Sequence, residues 1–354
     1  MRFQVTSGGE NYGVGALFYS VPSKKEIDKA NVTIKKLCRE KVGELYGGQN
    51  FMVARLEDEL FLMEKTGAGF DFLLLKEIAD FSREQGYPVL LMGDISGSVI
   101  LYLLGVSLIN PMPPHYRCEG ECYPNFEVVE KAISGFDLPD RCCHICGKQM
   151  VKDGHDIRLD MVWKGDTQPQ GLDIAIAETI RPYLPEYLDE KFGNCEADKM
   201  LYRRISMPSN SQCQLVGELN KKTKTKWSLE IFQDEALLQH VLKEFIKDEE
   251  RHLEEMKAHH PETATWCEQE LAFIKSCETI TKVDFRTLTR IYGYRVMGTE
   301  EQKVKENVYD EHFVIFKDEQ LNSKSTYGVW SKATCISRLM LMCLKKWYEL
   351  NSKA

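Results

Sequence analysis

The chain has 354 residues, of which 43% are hydrophobic and 28% are charged, a balance that is typical of folded globular proteins and excludes large-scale disorder. The net charge of −8 at pH 7 argues against a surface that coats nucleic acid, although it leaves room for a local basic groove. No apolar run approaches the roughly 18 residues of a membrane span, and the N-terminus lacks the apolar core of a signal peptide. The sequence therefore predicts a cytoplasmic protein that does not contact a membrane.

The first part of the chain predicts three amphipathic helices. Their apolar residues recur every three or four positions among charged ones, which is the spacing that gives a helix one apolar face. Gly86 stops the third helix, because glycine is favoured just past a helix C-terminus. The three segments are Lys24–Leu45, Met52–Lys65 and Phe72–Gln85.

A strand, a turn and a fourth helix are predicted next. Val89–Met92 is a short apolar run typical of a buried strand, and it leads into the turn Gly93–Ser98. The apolar segment Val99–Ile109 predicts a helix, which ends before the prolines at 111, 113 and 114 because proline cannot continue a helix. Residues 115–155 are rich in Cys, Gly, Pro and Asp, so a loop-dominated insertion is expected there.

The rest of the chain changes from strands to helices. Four short strands are predicted, at Leu172–Ala177, Tyr202–Met207, Cys213–Leu219 and Trp227–Phe232. From residue 234 onward the apolar spacing is helical, with helices predicted at Ala236–His259 and Ser331–Leu350.

The twelve cysteines carry the clearest chemical signal. In a reducing compartment they favour metal ligands or buried free thiols over disulfides. Two short cysteine pairs about 20 residues apart can hold Zn²⁺ tetrahedrally, and four sulfur ligands leave no open position, so such a zinc is structural. Cys142 is an alternative third ligand, but Cys143 makes a CxxC pair with Cys146 and is preferred. The predicted zinc ligands are Cys118, Cys122, Cys143 and Cys146.

Several strings around these cysteines resemble one protein family. These strings follow one another along the chain in the same order as in that family, and they are Ile109–Cys118, Ser134–Asp140, Lys152–Ile157 and Lys164–Asp166. Similarity continues upstream in Ala54–Leu60 and becomes patchy downstream, where Phe285 and Gly298-Thr299 resemble part of a fingers motif. The sequence resembles the palm region of the PolC-type bacterial DNA polymerase III α subunit.

This resemblance implies a nucleotidyltransferase-like palm of the α/β (α+β) class, with a mixed sheet, a zinc-binding loop insertion and a helical C-terminal part. The family's exonuclease, PHP and clamp-binding modules have no counterpart in the sequence, so a shortened palm with part of the fingers is expected. The implied division is a helical lead-in at 1–48, a palm-like domain at 49–233 with the insertion at about 112–155, and a fingers-like helical remnant at 234–354.

The resemblance also indicates where catalysis would occur. The family transfers nucleotides with two Mg²⁺ ions, held by an Asp-x-Asp pair on one palm strand and a third Asp on a neighbouring strand. The pair falls on Gly171 and Asp173, so one aspartate remains. At the third position stands Glu230, whose extra methylene moves the carboxylate by about 1.5 Å relative to an aspartate. The alternative is that Glu230 is only a half-exposed strand residue without a catalytic role. The catalytic candidates are Asp173 and Glu230, with Mg²⁺ as a cofactor only if the protein is active.

A Gly-Ser turn and an arginine grip the triphosphate in the family. The phosphate-binding residues implied here are Gly93, Ser96, Gly97 and Ser98, with Lys332 in the fingers-like part. Backbone N–H groups at the start of a helix can meet an anion, but the same pattern is also that of a helix cap. Met92 stands at the arginine position, and Asp94 adds a negative charge where a triphosphate needs positive ones. Two histidines expected in the fingers are replaced by Met297 and Thr334.

Three hypotheses follow. The first is a catalytically defective PolC-like protein that acts by binding DNA or a protein of the replication machinery. The second is a minimal active DNA-directed DNA polymerase that uses Mg²⁺ at Asp173 and Glu230. The third is a decay product without function, kept folded by its zinc site. The losses at separate functional positions favour the first.

Overall fold

The structure of the chain, a computed structural model, describes residues 1–6, 14–47, 50–119, 126–129, 135, 138–163, 172–208, 213–214, 217–218, 221, 235–261, 264, 268, 271, 295–297, 309–310 and 313–316. The strands are β1 (Phe3–Thr6), β2 (Val14–Pro22), β3 (Leu90–Met92), β4 (His115–Arg117), β5 (Phe126–Val128), β6 (Val151–Asp153), β7 (Asp173–Ala175), β8 (Ala197–Pro208), β9 (Arg295–Met297), β10 (Tyr309–Asp310) and β11 (Phe313–Phe316). The α-helices are α1 (Lys24–Tyr46), α2 (Asn50–Thr66), α3 (Gly69–Glu84), α4 (Val99–Leu103), α5 (Leu159–Val162), α6 (Leu184–Phe192) and α7 (Glu235–His259). The protein is of the mixed α/β class, as predicted.

The central feature is a five-stranded sheet with the order β1-β2-β8-β7-β3. Strands β7 and β8 run parallel, whereas the other neighbouring pairs are antiparallel, so the sheet is mixed as predicted. The predicted strands at 89–92, 172–177 and 202–207 are confirmed as β3, β7 and β8. A separate three-stranded sheet in the C-terminal part has the order β10-β11-β9.

Helices cover one face of the five-stranded sheet. The three N-terminal helices begin and end within a few residues of their predicted limits. Ser23 caps α1 by accepting a hydrogen bond from the Glu26 N–H, and Gly47, with φ +57°, ends the helix in the left-handed region. On the covered face, Asp71 of α3 accepts hydrogen bonds from the Tyr19 hydroxyl of β2 and the Arg203 guanidinium of β8. We call this face of the sheet the inner face.

The fourth predicted helix is shorter than expected. The segment Val99–Ile109 was predicted to be helical throughout, but α4 ends at Leu103. Gly105 has φ +71°, a left-handed conformation that ends the helix six residues before the first proline. The Ser107 hydroxyl then donates to the carbonyl of Ser96 at 2.5 Å, so the chain folds back onto the preceding turn. The residues after α4 are still apolar because their side chains are buried, although the backbone there is no longer helical.

The insertion contains more regular structure than its composition predicted. Strand β4 pairs with β5 on one side and with β6 on the other, in an antiparallel sheet of three short strands. The insertion has a small core, separate from the main one, that consists of Tyr116, Cys118, Leu138, Cys143 and Met150. The expected loop-dominated segment thus contains a small sheet of three short strands joined by loops.

Two further expectations need correction. Residues 3–6 and 14–22 form β1 and β2 of the main sheet, so the description of residues 1–48 as a helical lead-in was wrong for its first part. The segment Cys213–Leu219 was predicted to be a strand, but its four described residues, 213–214 and 217–218, are helical.

The helix at 236–259 is confirmed as α7. The strand predicted at 227–232 and the helix predicted at 331–350 lie outside the described residues, and the domain boundaries at 48 and 233 remain predictions. None of the described helices is both long and apolar enough to cross a lipid bilayer.

Candidate functional site

Three of the four predicted zinc ligands lie together. The sulfur atoms of Cys118, Cys143 and Cys146 are all within 4.8 Å of one another, and the Cys118 Sγ and Cys146 Sγ atoms are 3.5 Å apart. Sulfurs around one tetrahedral Zn²⁺ lie about 3.8 Å apart, since each Zn–S bond is about 2.3 Å long. The three thiols therefore fit a metal ion such as zinc. The fourth predicted ligand, Cys122, is outside the described residues.

Local backbone geometry brings these thiols together. Cys118 directly follows β4, and the other two lie in a tight turn that ends at Gly147, whose φ of +72° favours glycine. The Gly147 N–H donates to the Cys143 carbonyl at 2.8 Å, and the Ile145 N–H points to the Cys143 sulfur at 3.4 Å. A backbone N–H directed at a cysteine sulfur stabilises a thiolate, which is the form that binds a metal.

The structure distinguishes between the two adjacent cysteines. Cys143 is buried and belongs to the group of three thiols. Cys142 is exposed and takes part in an isolated β-bridge with Gln149, so its side chain is not part of the group. The preference for Cys143 over Cys142 is consistent with this arrangement.

The candidate catalytic residue Asp173 is the first residue of β7 and is half-buried. Its register partner on β3 is Met92, and its register partner on β8 is Ser206. Directly opposite residues on paired strands project to the same face of a sheet, so these two side chains flank the carboxylate. This face lies opposite the helix-covered inner face, and we call it the outer face.

The pKa of Asp173 is above its ordinary value. Burial, which disfavours the charged form, is the largest cause, and it outweighs a hydrogen bond with Ser206 and the positive charge of Arg204, both of which lower the pKa. The carboxylate thus interacts with a hydroxyl and a guanidinium of β8. Both of these residues lie on the strand predicted at 202–207, but the sequence did not indicate that this strand would pair with β7.

The described surroundings of Asp173 do not fit a pair of Mg²⁺ ions. Such a pair needs several carboxylate oxygens converging from neighbouring strands. The register partners of Asp173 are a methionine and a serine. Within the described part of the chain, the three cysteines are the one group of three or more His, Cys, Asp or Glu close enough to share a metal ion. Glu230 and Gly171 lie outside that part.

The predicted phosphate turn is already occupied by a protein carboxylate. Glu59 of α2 is fully buried and accepts hydrogen bonds from the Ser98 hydroxyl at 2.6 Å and the Val99 N–H at 3.1 Å. It also pairs with the Arg55 guanidinium at 2.8 Å. The Ser98 hydroxyl and the Val99 N–H at the start of α4 thus meet an internal anion. The sequence offered only the spacing of four between Arg55 and Glu59 as a signal for this contact.

The other residues of this turn are engaged or enclosed. The Ser96 hydroxyl donates to the Gly93 carbonyl at 2.6 Å, and Ser96 is fully buried. Gly97 is also buried, since a Cβ there would lie 3.0 Å from the side chain of Ile157. Of the predicted residues, Gly93 alone has open space beside it. This geometry favours the helix-cap alternative, and phosphate binding by Gly93, Ser96, Gly97 and Ser98 remains a prediction. Lys332 lies outside the described residues.

The string Lys152–Ile157 anchors the insertion to the main core. Asp153 accepts hydrogen bonds from the Tyr102 hydroxyl at 2.8 Å and the Asn110 amide at 2.9 Å. Burial raises the pKa of Asp153, but electrostatic interactions with His115, His155 and Arg117 and the hydrogen bond from Asn110 together outweigh it, so the pKa is below its ordinary value. Gly154 has φ +92°, and a Cβ there would lie 2.2 Å from the Pro113 carbonyl oxygen. These residues therefore have a structural role.

Comparison with known proteins agrees with the resemblance seen in the sequence. The model of the family described as the bacterial DNA polymerase III alpha NTPase domain matches residues 32–284, well over half of the chain. The chain therefore belongs to this family.

Curated relatives match a shorter stretch. A DNA polymerase III PolC-type of Thermotoga petrophila is 34% identical over 173 residues, which are 47% of this chain and 12% of that protein. The PolC-type enzyme of Thermotoga maritima is 33% identical over the same length and shares, and that of Oceanobacillus iheyensis is 32% identical over 171 residues. The chain thus spans about an eighth of the length of these relatives.

Proposed function

We propose that this chain is a palm-like member of the polymerase III α family that binds DNA and does not catalyse nucleotidyl transfer. The observation that carries the proposal is the pairing of the aspartate-bearing strand. Asp173 has Met92 on one side and Ser206 on the other, so neither register neighbour adds a carboxylate for a second metal bond. A single monodentate or bidentate carboxylate does not hold two Mg²⁺ ions in the geometry that the reaction needs.

The turn before α4 supports the same proposal. In an active relative this turn would meet the negatively charged triphosphate, but here Glu59 occupies the start of α4. A second anion beside a buried carboxylate would be repelled, because like charges in a protein interior interact strongly. Among the described residues, Arg204 places a positive charge that acts on Asp173.

Zinc has a structural role in this proposal. Cys118, Cys143 and Cys146 would bind it, with Cys122 as the fourth ligand. Bound there, zinc would connect the end of β4 to the turn before β6 and stabilise the small core of the insertion. Chemistry at this centre is not expected, because four sulfur ligands leave no position for a substrate.

A primer-extension assay with the purified chain tests the proposal. We expect no template-directed incorporation with either Mg²⁺ or Mn²⁺, and we expect measurable DNA binding that weakens as salt rises, because phosphate contacts release counterions. Incorporation that disappears in Asp173→Ala would establish the alternative, a minimal active polymerase that uses Asp173 and Glu230. Absence of DNA binding at low salt would refute the binding part of the proposal.

A further inference from the structure

The outer face of the five-stranded sheet carries a row of aromatic and cationic side chains. Gln4 of β1 pairs in register with Phe18 of β2, and Phe18 pairs in register with Arg204 of β8. Tyr202 lies two residues before Arg204 on the same strand and therefore on the same face. Three adjacent strands thus present an amide, two aromatic rings and a guanidinium side by side.

These side chains are accessible. Gln4, Tyr202 and Arg204 are exposed, with Tyr202 at 44% relative exposure, and Phe18 is half-buried. The alternate residues of β8 face inward: Arg203 bonds to Asp71 of α3, and Ile205 is fully buried. Strand β8 thus places its apolar and ion-paired residues, Ile205 and Arg203, on the inner face and places Tyr202 and Arg204 on the outer face.

Arg204 is the cation of this face. It forms no hydrogen bond or ion pair with another described residue, although its charge acts on Asp173 across the β7–β8 pair. In a metal-dependent polymerase, a divalent ion at this position would screen the aspartate from DNA phosphates. Here the guanidinium of Arg204 acts on the aspartate instead.

From this placement we infer that Tyr202, Phe18 and Arg204 form a metal-independent contact for single-stranded DNA, in which bases stack on the rings and Arg204 meets a phosphate. The inference rests on the proposed DNA binding and specifies its site. Aromatic rings with an interleaved cation on the exposed part of a sheet face are suited to unpaired nucleotides, because every base has a face that can stack. Duplex DNA is a poorer fit, since its bases are already stacked on each other.

The test measures binding of a fluorescent oligothymidine by anisotropy, in EDTA, over a range of salt concentrations. Arg204→Ala should weaken binding and reduce the slope of log K against log salt by about 0.7, the value for one phosphate contact with a single strand. Arg204→Lys should keep the slope. Arg251→Ala is the matched control, because Arg251 is an exposed arginine on α7, paired with Asp248 and distant in sequence from β8.

Two further variants address the rings and the aspartate. Tyr202→Ala should weaken binding about five-fold or more, which corresponds to the loss of one base stack, whereas Tyr202→Phe should not. Tyr183→Ala is the control, since Tyr183 is an exposed tyrosine outside the sheet. Asp173→Asn should tighten binding in EDTA, because it removes a negative charge beside Arg204. A metal-dependent site predicts the opposite, namely Mg²⁺-dependent binding that is lost in this variant.

The outcomes separate the inference from the proposed function. If the wild-type chain binds no DNA, the proposed DNA binding fails, and this inference fails with it. If the wild-type chain binds but Arg204→Ala and Arg251→Ala have equal affinities, DNA binding stands and the assigned face is wrong. Equal affinity for a duplex of the same length, or a requirement for Mg²⁺, would likewise overturn the inference.

Discussion

Replacing Glu59 tests the internal anion at the start of α4. The carboxylate has no solvent exposure and receives hydrogen bonds from Ser98 and Val99 and an ion pair from Arg55. Glu59→Gln keeps one acceptor oxygen but turns an amide N–H₂ towards a donor and removes the charge. Hydrogen bonds to charged groups contribute about 1.5–3 kcal/mol each, so a loss of roughly 2–3 kcal/mol in the free energy of unfolding is expected. Glu59→Leu, which leaves Arg55 unpaired, should cost about 3–5 kcal/mol.

Urea denaturation followed by circular dichroism measures these losses. The matched control is Glu57→Gln, two residues away on α2, where the ion pair with Arg39 is solvent-exposed. Such a pair contributes about 0–1 kcal/mol. The double variant Arg55→Met, Glu59→Leu should lose less than the sum of the single losses, because it leaves neither charge without its partner. The reasoning is refuted if Glu59→Gln is no less stable than Glu57→Gln, because the Glu59 carboxylate would then not stabilise the start of α4.

Three further outcomes are expected. Metal analysis of the purified chain should give about one zinc per chain. Cys143→Ser should lower the zinc content and Cys142→Ser should not. Equal losses in both variants would refute the assignment of Cys143 as the ligand. Because the pKa of Asp173 is raised in the folded state, ionisation of this group costs stability as pH rises from the ordinary aspartate value towards the raised one. Asp173→Asn should therefore gain stability relative to the wild type as pH rises above about 4, and a constant difference between the two would contradict the raised pKa. Tyr19→Phe, which loses a 2.7 Å hydrogen bond to the buried Asp71, should lower the free energy of unfolding by about 1 kcal/mol, measured by urea denaturation; no loss would mean that this bond is not maintained in solution.

The helices of the N-terminal part could be predicted because their signal is local. Each has an apolar stripe at the helical period, and Gly47 and Gly86 mark chain reversals with positive φ. The same method overextended α4. An apolar run has no period when every side chain is buried, so Val99–Ile109 could not reveal that the helix ends at Leu103. The glycine at 105 was the available signal.

The sheet was less predictable because strand pairing is not local. The segment of β2 lies about 190 residues from its partner in β8, and β2 does not alternate clearly between buried and exposed residues, because Ala16 and Ser20 are buried on the outer face while Leu17 and Tyr19 are buried on the inner face. The cysteine group was predictable for the opposite reason. Its turn is short, and a CxxC pair followed by glycine has few ways to fold around a metal ion.

The difference between the two sites follows from how each is assembled. Two of the three described thiols come from one tight turn, and the third directly follows the short strand β4, so the insertion can fold around its metal with little help from the rest of the chain. A two-metal centre on a sheet instead needs side chains from several strands in exact mutual register. In this chain Met92, Asp173 and Ser206 lie in one row across three strands. Introducing a carboxylate with Ser206→Asp should therefore add a ligand beside Asp173 without refolding the sheet. This variant should bind Mn²⁺ more tightly than the wild type, as measured by isothermal titration calorimetry, and Asp173→Asn in the same background should abolish the gain.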